Sequence, residues 1–450
     1  VLFAAALGVF TSKRVSNATS FMIANRQLST AFVCAFIAGN IMGAMSTLGS
    51  AELGYIYGIS GGWYPAFAAL GLIFLAVFIA RPMRRTGLYT VPEFIGKTFD
   101  NRCRLIFVVM SLITSFIGLP SQIVGGASII TALTGINFIY AEIFTTLIFL
   151  AFVVLGGVWS ASSVSFMKVL LILTLLYPAP FLAVSVIGGW DILLANTPPT
   201  MWRLDTLGVP IIVAWVLSVS TCFVVSQGIL QSIFSAKSEN SAVIGTFLAA
   251  VIEAPIGFLL AILGICAAVT LPGIRPSLAL PLFAIKFFNP IYSGAILGAM
   301  MLTSIASMSI WLLASATIIG RDIYWHLLKP DATEKEVLLF TRGITVLLAF
   351  ACLSFAILAP TYIVYYGIAA ITIGAAGAFF PVVGGLFWKK TTPTAAFWST
   401  LIGTIAAVLW YILNQPFNIH PIYVSLPLSG VCMILLSFLT PTTKKPETGR

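Results

Sequence analysis

The chain has 450 residues, of which 60% are hydrophobic and 8% charged, with a formal net charge of +10. Soluble domains average ~45–50% apolar and ~25% charged residues, so this is an all-α polytopic membrane protein folded as a single domain, 1–450, and not a string of soluble modules. Six scattered cysteines without CxxC spacing and two histidines exclude a disulfide framework and offer no metal motif, nucleophile elbow or histidine cluster for a membrane enzyme.

The first apolar run, VLFAAALGVF (1–10), is shorter than the ~20 residues that span a bilayer. It reads as the end of a truncated leading helix. A polar loop with Lys13, Arg14 and Arg26 follows. The stretch 31–58, AFVCAFIAGNIMGAMSTLGSAELGYIYG, is long enough to cross but carries five glycines, Asn40, Ser46, Thr47 and Glu52. Glycine weakens a helix interior by roughly 1 kcal/mol relative to alanine. Unpaired backbone at membrane depth persists only where it is buried in protein or lines a cavity. The stretch therefore reads as a transmembrane helix interrupted near 38–43, with freed carbonyls open to a cation. Tight helix packing on the glycines is the other reading.

Further apolar runs lie near 62–80, 105–134, 137–157, 161–188, 209–233, 241–271, 289–325, 337–359, 361–388, 394–414 and 421–440, followed by a polar tail, 441–450. Counting sides alternately from the first loop, the 23 Lys and Arg residues fall on one side, except Arg203, Arg275 and Lys286 on the other and Lys168 within a span. This positive-inside pattern makes a multi-pass protein of the cell membrane with its C-terminus cytoplasmic. It accounts for the basic charge by topology. The expected partners are the lipid bilayer and a small-molecule solute, not nucleic acid.

Ionisable residues within spans are costly and are functional candidates by default. Lys168 lies about eight residues into its span, on the order of 10 Å deep; it either acts there or snorkels to the surface. Glu52 and Glu142 sit toward the external ends, within reach of water. Glu253 precedes Pro255 and is placed to satisfy backbone that the proline frees.

Several collinear stretches then carry a resemblance. They are ATSFMIANRQLS (18–29) with FIAGNIMGAMSTLGSAELGYIYGISGGWY (36–64), TGLYTVPEFIGKTFD (86–100), GGVWSASSVSFMKV (156–169), QGILQSIFSAKS (227–238) and FFPVVGGLFWKKTTPTAAFW (379–398). Together they make the chain similar to the sodium:solute symporter family. The resemblance implies a LeuT-like fold: a five-plus-five inverted-repeat helical bundle, with repeats at 31–188 and 209–388. It adds one extra N-terminal helix and two accessory helices at 394–440. Substrate and ion then lie near the bilayer midplane, at broken helices.

The family's sodium ion sits between its first and eighth core helices. By alignment the ligands are the carbonyls of Ala38, Ile41 and Thr303 with positions Ala306 and Ser307, where members usually carry two consecutive hydroxyls. Members often place an Asp where Ser165 stands and a Gln where Lys168 stands. The resemblance implies a secondary active transporter working by alternating access with sodium as the coupling ion. The departures open an alternative in which Lys168 replaces the ion and coupling is to protons or sodium-independent. A transporter-like sensor is a third class. Where the sugar-transporting branch has amides, an acid and tyrosines, this chain has Met45, Pro65, Ala68, Val219 and Cys222. Unmet polar groups cost ~1–3 kcal/mol each, which turns the pocket away from sugars and toward a monocarboxylate or an amino acid. Its remaining polar candidates are Asn40, Ser46, Tyr64, Gln122, Ser226 and Gln227, with Phe223 as a lid or stacking surface.

Overall fold

The computed structural model describes residues 18–358 and 363–441, apart from the side chains of 18, 152–157 and 159–161. The leading run 1–10 and residues 442–450 of the tail lie outside the described residues. Every other apolar run is helical. The helices used below are α1 (Thr30–Ile41), α2 (Ser50–Tyr57), α3 (Trp63–Phe74), α4 (Ala80–Arg85), α5 (Asn101–Gly118), α6 (Pro120–Thr134), α7 (Phe138–Leu171), α8 (Thr221–Val225), α9 (Gln227–Ser235), α10 (Glu239–Thr270), α11 (Pro290–Ile318), α12 (Glu334–Leu358), α13 (Ile363–Phe387), α14 (Pro393–Ile412) and α15 (Ile422–Leu439). Among the described residues the one isolated β-bridge joins Leu28 to Ala236, through Leu28 N to Ser235 O at 3.1 Å and Lys237 N to Leu28 O at 2.9 Å.

Among the described residues two helices are broken, as a site at the membrane midplane requires. The first leaves helical geometry at Met42 (φ −69°, ψ 49°), runs through a π-helical turn at Met45–Gly49 and resumes as α2. The break spans 42–44 and overlaps only the far end of the expected 38–43. Gly43 is where the chain is crowded: a Cβ there would lie 2.7 Å from Gln122 Nε2 and 2.8 Å from Ser307 Oγ. The freed Ala44 amide donates to Gln122 Oε1 at 2.9 Å. The second break is at Ser226, extended at φ −62° and ψ 128°, between α8 and α9.

The chain departs from expectation at 157–161, where a turn between two spans was read. Instead the backbone is helical through that stretch, within α7, Phe138–Leu171.

Burial identifies the centre. In the hydropathic window of Pro290–Leu328, 89% of residues are buried, against 33% in the window of α12. Thus α11 is the axis of the bundle. It packs on α1, α6 and α7, while α10 packs on α1, α2 and α3, and α14 and α15 pair with each other against α13.

The basic loops converge on one end. Arg84 Nε donates to Ala236 O at 2.7 Å, Arg104 pairs with Asp322 at 2.6 Å, Arg321 approaches Glu93 at 3.6 Å, and Cys103 Sγ donates to Pro393 O at 3.1 Å. A short helix in this region, Val91–Thr98, is capped by Thr90: Thr90 Oγ1 accepts from Glu93 N at 3.0 Å, and Glu93 Oε2 accepts from Tyr89 N, just before the cap, at 3.0 Å.

Candidate functional site

Lys168 does not snorkel. Its side chain is fully buried and its ammonium lies between the unbroken part of helix one and the axial helix. Nζ donates to Gly39 O at 2.8 Å, to Ser307 Oγ at 2.9 Å and to Thr303 O at 3.2 Å. An ammonium has three N–H donors, so all are satisfied. Ser307 Oγ in turn donates to Gly39 O at 2.7 Å. Three oxygens from α1 and α11 thus converge on one positive charge.

Thr303 and Ser307, which the resemblance implies at the ion, both accept from Nζ, and the α1 carbonyl that joins them is that of Gly39 and not of Ala38 or Ile41. Ala38 O accepts from Met42 N at 2.8 Å, and Ile41 O accepts from Gly43 N at 2.6 Å and Ser46 Oγ at 2.7 Å. Both accept hydrogen bonds within the turn that ends α1. Ala306 is buried and contributes no side-chain oxygen. Ser165 does not touch the ammonium; it packs on Gly39, where an added Cβ would meet Ser165 Oγ at 2.1 Å and Ser165 Cβ at 2.4 Å. Gly39→Ala must therefore push α7 off α1. We expect that variant to lose most transport, and Gly39→Ala combined with Ser165→Gly to recover much of it. Single effects that simply add, measured by uptake into proteoliposomes, would contradict this contact.

Gly39 O, Thr303 O and Ser307 Oγ, the oxygens gathered between α1 and α11, are all engaged by Nζ.

On the far side of the break, Ser46 Oγ also lies 2.8 Å from Glu253 Oε1, an alternative acceptor for its single proton. Glu253 is fully buried and its Oε2 has no partner among the described residues. It does not bond backbone freed by Pro255. The two other acids are not at water either: Glu52 and Glu142 are only 1% and 3% exposed. Glu52 Oε2 accepts from Ile363 N at 3.2 Å and so serves the N-terminus of α13, where a negative charge is favoured.

A cavity of about 90 Å³ lies between α5, the break at Ser226, α11 and α13. Of the predicted substrate residues, Cys222, Phe223, Ser226 and Gln227 line it. Asn40, Met45, Ser46, Tyr64 and Gln122 do not. Asn40 stands behind the wall, where its Oδ1 accepts from Trp311 Nε1 at 2.6 Å. Met45 packs on Gly367. Tyr64 is buried with its ring 6.3 Å from that of Phe223, and Gln122 caps the first break. Trp311, Ser111, Thr114 and Ser115 line the cavity and were missed. Trp311 carried a signal, as the single bulky aromatic in the small-residue run MLTSIASMSIWLLASATI (301–318).

The cavity has a floor. Arg104 and Asp322 lie one helical turn beyond the lining residues Phe107 and Ile318, and Thr90 Oγ1 donates to Asp322 Oδ2 at 2.8 Å. Gln227 Oε1 accepts from Val91 N at 2.7 Å. Toward the other end is a wider vestibule of about 1260 Å³, lined by residues including Tyr57, Trp215, Tyr411 and His420. Burial pushes the His420 imidazole down to about 4, so it is neutral at physiological pH.

Residues 21–403 match the profile of the Sodium:solute symporter family. The chain belongs to this family. A Sodium/glucose cotransporter of Vibrio parahaemolyticus is 26% identical over 90% of this chain and 81% of its own length. The uncharacterized symporter YwcA of Bacillus subtilis is 25% identical over 91% and 85%. Among solved structures, a Na+-coupled sialic acid symporter in a substrate-bound, outward-open state superimposes with a TM-score of 0.84. Its identity is 16%, and the match covers 99% of this chain and 97% of the other. Mhp1, a nucleobase-cation-symport-1 family transporter in a closed conformation, gives 0.61 at 12% identity, over 94% and 96%. These two likenesses establish the LeuT-like inverted-repeat bundle with extra helices. As a sodium:solute symporter family member, the protein is a secondary active transporter of a small solute and not an enzyme.

Proposed function

We propose that this protein carries a small carboxylate, a monocarboxylate or an amino acid, and that the Lys168 ammonium stands where the family's sodium ion would bind between the first and eighth core helices. The observation that carries the coupling half is the triple hydrogen bond from Nζ to Gly39, Thr303 and Ser307. A fixed internal cation supplies the charge that closes α1 onto α11, so transport does not need sodium at this position.

The solute half rests on the break at Ser226. The first α9 backbone bond runs from Leu230 N to Ser226 O. The amides of Gln227, Gly228 and Ile229 are therefore the free donors of a helix N-terminus, which favours an anion. Gln227 Nε2 has no partner among the described residues and belongs to the same cavity wall. The other lining groups are aromatic or aliphatic, with a few hydroxyls. That suits a carboxylate on a short, partly apolar body and leaves a polyhydroxylated sugar underserved.

In this reading the repeats are 31–188 and 209–388, and the basic end of the bundle, with the tail, faces the cytoplasm by the positive-inside pattern. Uptake into proteoliposomes tests both halves. Monocarboxylates and amino acids, each beside its amide, are presented in sodium and in choline medium. We expect acids to be taken up and amides refused, at equal rates in the two media. Uptake that stops in choline overturns the role given to Lys168, and uptake of the amides overturns the carboxylate seat.

A further inference from the structure

At the basic end, away from the transport pathway, an open cavity of about 650 Å³ is lined by Arg26, Arg84, Arg85 and Glu239, among others. We propose that it is a binding site for the headgroup of an anionic phospholipid.

The charge balance is the first argument. Arg81 joins the rim through Nη2 to Asn240 Oδ1 at 3.5 Å. Four guanidinium groups therefore face one carboxylate, Glu239, which pairs with Arg85 at 2.9 Å. Arg84 is held by Nε to Ala236 O at 2.7 Å, and Arg26 by one Nη to Gly87 O. Each guanidinium has five N–H donors in a planar fork, so both keep donors for a phosphate. The backbone contacts fix their position and leave their charge unneutralised. Arginine forks suit phosphate oxygens better than lysine does.

The second argument is what lies beside the cavity. It opens between the end of the second core helix and the start of α10, which pack together. Along the former, Phe74, Val77 and Phe78 are exposed, on the side that continues into exposed Arg81 and Arg85. Along the latter, Ile244, Phe247, Leu248 and Val251 are exposed at helical spacing beyond exposed Asn240. A basic pocket thus sits at the head of an apolar strip formed by two adjacent helices. A diacyl lipid satisfies both parts at once, and a free anion satisfies only the first. Basic pockets between transmembrane helices recognise anionic headgroups in this way.

The test uses the full chain, delipidated in detergent and returned to nanodiscs of phosphatidylcholine alone or mixed with phosphatidylglycerol. Melting temperature and native mass spectrometry are the readouts. A ligand that binds only the folded state raises the melting temperature. We expect phosphatidylglycerol to raise it and to be retained as an adduct. The double variant Arg81→Gln/Arg85→Gln, at exposed positions, is expected to bind it about tenfold more weakly. Glu239→Gln, which removes the competing carboxylate, is expected to bind it more tightly than the parent. Equal stabilisation by the two lipids, an unchanged preference in the double variant, or weaker binding by Glu239→Gln would overturn the proposal. Inorganic phosphate or glycerol 1-phosphate protecting as well as the lipid would mark a free-anion site and overturn it too.

Discussion

Lys168→Met abolishes transport and acquires a sodium response. Methionine keeps the apolar stem and removes the charge. Thr303 O loses its ammonium partner, and Gly39 O keeps only Ser307 Oγ. Hydrogen bonds to charged groups are worth ~1.5–3 kcal/mol each, so several kcal/mol of attraction between α1 and α11 disappear. What remains is a site with oxygens and no cation, which a sodium ion can enter. We expect sodium, and not choline, to raise the melting temperature of Lys168→Met while leaving the parent unmoved. At sodium concentrations about 100 times the dissociation constant the gain is ~2.7 kcal/mol. A parent protein stabilised by sodium as strongly as the variant would show that the ion binds beside the ammonium.

Asp322→Asn opens the floor of the central cavity. Asp322 is fully buried and Arg104 nearly so, and they meet at 2.6 Å with Thr90 as a second donor to the carboxylate. Removing one partner of a buried pair strands the other charge and costs ~3–5 kcal/mol. Because the pair lies one turn beyond Phe107 and Ile318, the loss falls on the contact between α5, the axial helix and the Val91–Thr98 helix. In a background with Cys222 as the one remaining thiol, we expect a membrane-impermeant thiol reagent applied at the basic end to label Cys222 faster in Asp322→Asn. A melting temperature that falls without any change in labelling would assign the pair to stability alone.

The helical spans, the broken first helix and the oddity of Lys168 were legible in the residues, because burial cost and backbone satisfaction act locally and leave a pattern. The α1 oxygen that meets Lys168 was not. Ala38, Gly39 and Ile41 all offer carbonyls, and only the turn at Met42–Ala44 decides which of them stays free. That turn depends on Gln122 and Ser307 crowding Gly43, contacts from residues far away in the chain. Glu52 was misplaced for the same reason. Its partner, the start of α13, is 311 residues distant, and no periodicity in the sequence connects them. Four of the nine expected substrate residues line the central cavity, and of the other five Asn40 stands behind its wall. Helix periodicity alone does not tell a wall from its backing when small residues line both faces of α11.

The bridge between Leu28 and Ala236 has a mechanical meaning. It fastens the start of the first broken helix to the end of the other, at the same face of the bundle. Neither limb can swing out alone without parting two backbone hydrogen bonds, a cost of ~0.5–1.5 kcal/mol each. That is enough to bias the two half-helices toward moving together.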